Sequence, residues 1–178
     1  MRTAIIGTAG RDKTKPMTKE LWQWMLEDAK SRVSSSEHLV SGGAAWADHL
    51  AVALFLEGKV EKLTLHLPAP FIKLRFKGVY GSSGNAANYY HQNFSSAIGE
   101  NTLRQISDCF ALEGCDFTVE PEAPGYKGMF SRNAKVATAD TLFAYTFGQS
   151  DVPADGGTKH TWDKCKGIKY HVTLPTIR

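Results

Sequence analysis

Short β-rich runs alternate along this chain with longer segments of helical periodicity, and this alternation restricts the possible fold more than any other feature. Connections of ten residues or more between successive runs favour a parallel sheet covered by helices on both faces. The predicted strands are Thr3–Gly7, His38–Val40, Lys62–Leu67, Thr141–Phe147 and Lys169–Leu174. We therefore expect an α/β fold, a Rossmann-like open parallel sheet, in a single domain over residues 1–178.

The segments between these strands carry recognisable helix signals. Thr18 is a suitable N-cap for one helix, and Gly58 is a suitable end for another that runs from about Ala45 to Glu57. Further helices are predicted over Thr102–Leu112, from Phe130 and over His160–Cys165, with a helix start within Asn88–Phe94 and a loop over Glu120–Gly128. Residues 68–128 interrupt the alternation, so we interpret this region as an insertion or a lid.

Three of the predicted strand–helix connections are rich in glycine and small residues. In an open parallel sheet they would lie on one edge, beyond the carboxyl ends of the strands, where ligands bind. A glycine after a strand often marks only a tight turn, but three such loops together favour a phosphate cradle of backbone amides at helix N-termini. The expected ligand-binding residues of these loops are Gly7, Thr8, Ala9, Gly10, Arg11, Ser41, Gly42, Gly43, Ala44, Gly156, Gly157 and Thr158.

Two common nucleotide motifs are absent from the sequence. The first loop has the spacing GxxG rather than the GxGxxG of dinucleotide-binding domains, and no GxxxxGK[ST] stretch occurs. A P-loop NTPase is therefore not expected. The sequence gives no indication of a resident cofactor, so none is predicted.

Composition limits the remaining function classes. A net charge of +3 suits an anionic small molecule but is too small and too scattered to predict a nucleic-acid groove. The alternation of Lys73, Arg75 and Lys77 is interpreted as an edge or loop face. The three cysteines lack the spacing of a disulfide framework or a zinc site, so we expect no metal. Without a signal peptide or an apolar run long enough for a membrane span, we expect a cytoplasmic protein that does not enter membranes.

Three segments resemble known families. Residues 41–48 (SGGAAWAD) resemble the SGGARGxD-type loop of DprA and its relatives, and residues 129–140 (MFSRNAKVATAD) resemble the MxxRKxxMxxxAD segment of the LOG phosphoribohydrolases. Residues 156–158 (GGT) are similar to part of the PGGxGTxxE loop of the same hydrolases. Together with the first strand and its GTAGR loop, they resemble the SLOG superfamily over residues 1–58 and 129–174.

The resemblance implies a nucleotide or nucleotide-derived ligand, such as a nucleoside monophosphate or an ADP-ribose-type molecule. Some members hydrolyse the bond between a base and ribose 5′-monophosphate. Arg132 falls where those hydrolases carry a functional arginine, with Asn133 beside it, although a surface helix arginine is the alternative. Superfamily members often pair through helices, so a homodimer is expected.

One departure from the hydrolase pattern bears on catalysis. The hydrolases need a carboxylate shortly after the glycine loop, to stabilise charge on the ribose or to activate water. Here Thr161 occupies the expected glutamate position, with His160 beside it as a candidate acid, base or phosphate contact. The acidic residues that could replace the glutamate are Asp48, Asp155 and Asp163.

Several aromatic residues have two possible roles. Trp46 could stack on a base or pack a helix, and His49 is more typical of a packed residue. The cluster that could cover a ligand or close the sheet edge is Tyr89, Tyr90, His91 and Phe94.

Two functions follow as hypotheses: a module that senses or sequesters a nucleotide-type ligand, and a LOG-type nucleoside 5′-monophosphate N-glycosidase. DprA-like handling of DNA is a third, weakened by the modest charge.

Overall fold

The computed structural model of this chain describes residues 1–79, 81–121, 128–153 and 156–176. Its strands are β1 (Arg2–Gly7), β2 (His38–Ser41), β3 (Lys62–Leu67), β4 (Phe71–Ile72), β5 (Arg75–Phe76), β6 (Cys115–Val119), β7 (Thr141–Thr146) and β8 (Ile168–Thr173). Its α-helices are α1 (Lys19–Arg32), α2 (His49–Leu56), α3 (Ser83–Ile98), α4 (Thr102–Phe110), α5 (Gly128–Val136) and α6 (Gly157–Lys164).

Six of these strands form one parallel sheet in the order β6-β3-β2-β1-β7-β8. From β1 the chain builds outward through β2, β3 and β6, and it then returns to the other side of β1 to add β7 and β8. The strand order therefore reverses between β1 and β7, which is where open α/β sheets bind ligands. The predicted α/β, Rossmann-like parallel fold is confirmed.

Alternate residues of the central strands point to opposite faces of the sheet, and apolar residues are buried on both faces. Ile5 belongs to a larger apolar cluster that includes residues of α1, α2, α3 and α4. Ala4 and Ile6 belong to a smaller cluster with residues of α5 and α6, among them Val136 and Trp162. The helices therefore cover both faces, with α5 and α6 on the same side.

Local signals explain where several helices begin. Thr18 accepts a hydrogen bond from the amide of Leu21 at 3.1 Å, as an N-cap should. The helix predicted from Ala45 begins instead with a 3₁₀ turn at Trp46–Asp48, and α2 starts at His49. The cause is the backbone of Trp46, whose φ of 64° is incompatible with a continuous right-handed helix.

The region interpreted as an insertion or a lid forms part of the same core. Its helix α3 is longer than predicted, and Phe94 is fully buried against Trp46 and His49. Strand β6, which was not predicted, extends the sheet at one edge. Of the predicted loop Glu120–Gly128, residues 122–127 lie outside the described ranges, and Gly128 begins α5.

None of the helices in the described ranges is both long and apolar enough to cross a bilayer.

Candidate functional site

A cavity of about 400 Å³ opens at the carboxyl ends of β1 and β7, where the strand order reverses. It brings together residues from all three predicted glycine loops and from α5. The predicted residues that line it are Gly7, Thr8, Ala9, Arg11, Ala44, Asp48, Arg132, Asn133, Gly156, Gly157 and Thr158. We call this cavity the cleft.

The first loop follows the backbone of β7 closely. The Thr8 amide donates to the carbonyl of Tyr145 at 2.9 Å, and a Cβ at Gly7 would lie 2.1 Å from that carbonyl oxygen. Gly7 also has a φ of 152°, which favours glycine. Only glycine fits at position 7 against the Tyr145 carbonyl. The backbone of the loop can therefore run along β7 to the cleft.

The second loop contributes mainly structure. The Ser41 hydroxyl donates to the carbonyl of Asp48 at 2.8 Å and accepts from the Gly43 amide at 3.1 Å. The Gly43 carbonyl in turn accepts from Nε2 of His91 at 2.8 Å. Of the four predicted loop residues only Ala44 lines the cleft, while Ser41 and Gly42 contact Asp48.

Asp48 is the candidate carboxylate that faces the cleft. It is 7% exposed, and the Ala44 amide lies 3.4 Å from its Oδ2 atom. Burial raises the pKa of Asp48, whereas the positive charge of Arg132 and the amides of Ala44 and Gly42 oppose this rise. A carboxylate in such a position can accept ligand protons or hydrogen bonds.

Arg132 and Asn133 project from α5 into the same cleft. Arg132 is 7% exposed, which excludes the alternative of a surface arginine. Its Nη1 donates to the carbonyl of Gly42, and its Nε donates to Oδ1 of Asn133 at 2.9 Å. Burial lowers the pKa of Arg132, and the nearby Asp48 carboxylate counteracts this. The pair therefore places opposite charges side by side at the base of the cleft.

The third loop presents the N-terminus of α6. Gly156, with a φ of 129°, is the N-cap, and Gly157 and Thr158 form the first turn at the cleft wall. The amides of a first turn have no carbonyl partner within their helix, and the helix dipole adds positive potential there. This wall is suited to an anion.

The residues that follow this loop lie at different positions relative to the cleft. Thr161 lines the cleft and donates to the Gly157 carbonyl at 3.2 Å. His160 lies beside the cleft, 3.4 Å from the Asn133 amide through Nδ1 and edge-on to Phe130. Asp163 forms an ion pair of 2.7 Å with Lys159, and more than half of its side chain is exposed. Asp155 lies outside the described residues, so Asp48 is the described candidate acid within the cleft.

Trp46 and His49 take the packing roles that the sequence left open. The Trp46 ring is 3% exposed and its centroid lies 4.4 Å from that of Phe94. The indole also borders Gly10, whose φ of 78° lets the loop fit against it. His49 is buried and donates through Nε2 to Gln105 at 2.7 Å. Neither residue lines the cleft.

The structure adds contributors that sequence reasoning missed. Asp12, Lys15, Met129, Phe130 and Phe147 all line the cleft. The first two, Asp12 and Lys15, belong to the polar run of residues 11–15 at the end of the GTAGR loop, which was a usable signal. Met129, Phe130 and Phe147 lie at or beside the ends of predicted elements and carried no such signal.

The charges of the cleft favour an anion. Among its described lining residues, the cations Arg11, Lys15 and Arg132 outnumber the carboxylates Asp12 and Asp48 by one. Arg11 spans the rim, with its guanidinium 5.0 Å from the ring centroid of Tyr90. Exposed cations can therefore add to the positive end of α6.

Gly42→Ala is expected to destabilise the protein by about 2 kcal/mol, because overfilling a packed site forces side chains to shift. A Cβ at this position would lie 2.4 Å from Nη1 of Arg132 and 2.9 Å from Oδ2 of Asp48. Urea unfolding measures the effect, and Gly157→Ala, where φ is not positive either and the Cβ would meet no atom within 4 Å, shows the backbone contribution alone. Equal losses in both variants would contradict this packing.

Comparison with known proteins gives a relative but no characterised one. No protein-family model and no solved structure matches the chain. The protein R261 of Acanthamoeba polyphaga mimivirus, described as uncharacterized, is 38% identical over 176 residues, which cover 93% of this chain and 91% of the viral protein. The chain therefore belongs to the same protein family as this mimivirus protein.

Proposed function

We propose that the protein binds a phosphate-bearing nucleotide or a nucleotide-derived, ADP-ribose-like ligand in the cleft and acts as a sensing or sequestering module. One observation carries the proposal: the N-terminus of α6 and the buried Arg132 open into the same cavity at the point where the strand order reverses. Open α/β sheets bind phosphate-bearing ligands at such a point.

The phosphate is best accommodated at the first turn of α6. The backbone amides of Gly157 and Thr158 can donate to phosphate oxygens without a side chain in the way, since a Cβ at Gly157 would meet no atom within 4 Å. Arg11 and Lys15 line the same cleft as exposed cations. A ligand with one phosphate or two is consistent with this distribution of positive charge.

The apolar part of the wall suits a base. Met129, Phe130 and Phe147 line the cleft, and the Lys15 ammonium lies 5.7 Å from the centroid of the Phe147 ring. Aromatic faces pack favourably against planar groups. The cavity volume of about 400 Å³ lies within the range of sites for small molecules.

A second candidate is the LOG-type N-glycosidase, favoured by the position of Asp48. The glutamate of the hydrolase pattern is absent from α6, but Asp48 supplies a carboxylate to the same cleft from a different connection. It would stabilise positive charge on the ribose or accept a proton from water, while Arg132 would hold the phosphate or the departing base. Whether the protein is an enzyme therefore depends on what Asp48 does.

Calorimetry with AMP and ADP-ribose, followed by chromatography of the same samples, separates the two functions. The binding module predicts saturable binding with both ligands recovered intact. Release of free adenine that disappears in Asp48→Asn, with binding retained, would establish the hydrolase instead. If neither ligand binds and neither is cleaved, both functions are contradicted.

The homodimer remains a prediction from the resemblance, and the cytoplasmic location remains a prediction from the sequence. Light scattering on a sizing column should give twice the mass of one chain, with or without ligand. A mass equal to one chain at micromolar concentration would contradict it.

A further inference from the structure

The position of Asp48 at the edge of the sheet determines which part of a bound nucleotide it can reach. It follows β2, which lies directly beside β1, whereas the N-terminus of α6 follows β7 on the other side of β1. Strands lie about 4.8 Å apart, so roughly 10 Å separates the ends of β2 and β7. A 5′-phosphate and the ring hydroxyls of the same nucleotide, each about 3 Å from its protein partner, bridge such a distance.

The protein does not supply hydrogen-bond donors for every acceptor position of the buried Asp48 carboxylate. Asp48 is 7% exposed, and its partners in the protein are the Ala44 amide, a long 3.4 Å from Oδ2, the Gly42 amide and the positive charge of Arg132. An ionised carboxylate offers about four positions for hydrogen-bond donors, and leaving such positions empty in a buried site is unfavourable. Donors from a ligand in the cleft would complete the set.

Charge determines which part of the ligand supplies those donors. A phosphate cannot lie against Asp48, because like charges repel strongly in a partly dehydrated site. The phosphate is therefore directed to Gly157 and Thr158, and uncharged hydroxyls are directed to Asp48. Burial raises the pKa of Asp48, and the positive charge of the neighbouring Arg132 opposes this rise and so favours the ionised, hydrogen-bond-accepting form.

We infer that Asp48 accepts hydrogen bonds from the 2′- and 3′-hydroxyls of the ligand's ribose, so that the cleft selects ribonucleotides over 2′-deoxyribonucleotides. The inference rests on the proposed nucleotide site and adds a specificity-determining residue to it. A buried acid beyond the second strand of an open α/β sheet serves ribose recognition in dinucleotide-binding domains, and here the acid follows β2 although the GxGxxG loop is absent.

Calorimetry with AMP, 2′-deoxy-AMP and 2′-O-methyl-AMP tests the inference on the unmodified protein. AMP is expected to bind roughly 10- to 100-fold more tightly than either analogue, because each analogue removes one donor to a charged acceptor. In Asp48→Asn the preference is expected to fall to about 3-fold, since a neutral acceptor forms weaker hydrogen bonds.

Asp108→Asn is the matched control. It makes the same change from carboxylate to amide, but Asp108 does not line the cleft, and its side chain lies exposed on α4. This variant should keep the full preference for AMP.

The possible outcomes distinguish the inference from the function on which it rests. Equal affinity for AMP and 2′-deoxy-AMP overturns the role of Asp48 and leaves the nucleotide site intact. An unchanged preference in Asp48→Asn overturns it as well. If no nucleotide binds, the proposed function fails and the inference fails with it. Should Asp48→Asn not fold, the three ligands on the unmodified protein still decide.

Discussion

The substitution Gly157→Asp is expected to lower the affinity for AMP by roughly 100- to 1000-fold, as measured by calorimetry. The new carboxylate would extend into open space at the first turn of α6, where the phosphate is proposed to bind. It would remove the charge-assisted hydrogen bonds of the phosphate and add repulsion at a distance of about 4 Å.

Stability should respond in the opposite direction. An acidic side chain near a helix N-terminus interacts favourably with the helix dipole, by about 0.5 kcal/mol. Gly157→Asp should therefore unfold at the same temperature as the unmodified protein or slightly above it. Lost affinity in a fully folded variant cannot be attributed to unfolding.

The matched control is Asn101→Asp, which adds the same charge at another helix start. Asn101 caps α4 by accepting from the Arg104 amide at 3.0 Å, and an aspartate preserves this bond. It does not line the cleft, so AMP should bind this variant normally. Full affinity in Gly157→Asp would show that the phosphate lies elsewhere.

Acid is expected to unfold the protein between about pH 6.5 and pH 4, because buried histidines must remain neutral in the folded state. Burial lowers the pKa of His49 to about 3 and the pKa of His91 and of His66 to about 4. A group whose pKa is lower in the folded state contributes stability above its unfolded pKa and loses it as the pH falls. Each histidine therefore decreases the free energy of unfolding by up to about 1.4 kcal/mol per pH unit in this window.

Urea unfolding at a series of pH values measures the slope, with His91→Gln as the informative variant. His91 donates through Nε2 to the Gly43 carbonyl, and its Nδ1 lies 2.9 Å from the Thr102 hydroxyl. A glutamine amide can provide a donor and an acceptor without titrating. The variant should lose about 1.4 kcal/mol per pH unit of the acid dependence. Asp48, whose raised pKa acts in the opposite sense, reduces the total but not this difference. A stability that is constant from pH 7 to pH 4 would contradict the account.

The strands beside the cleft could be predicted because their chemistry is local. β1 and β7 contain apolar runs, the leucines of β3 alternate with polar residues, and glycine loops follow β1, β2 and the end of β7. The prediction missed β6, although Cys115, Phe117 and Val119 alternate there with Asp116 and Thr118 as in a strand. Its place at the edge of the sheet comes from its pairing with β3, which is a property of the folded chain.

The candidate site was predictable as a location more than as a set of roles. Residues of the three glycine loops line one cavity at the predicted edge of the sheet. Sequence could not choose among Asp48, Asp155 and Asp163, because spacing along the chain does not show which carboxylate faces inward. The burial of Trp46 also depended on a left-handed backbone angle that residue type does not indicate.

A crystal structure of the protein grown with AMP tests the central claim most directly. The account predicts phosphate oxygens within about 3 Å of the Gly157 and Thr158 amides, with the ribose hydroxyls on Asp48. AMP bound instead in the depression of about 600 Å³ between α3 and the β4–β5 hairpin, or nowhere at a concentration that saturates calorimetry, would contradict it.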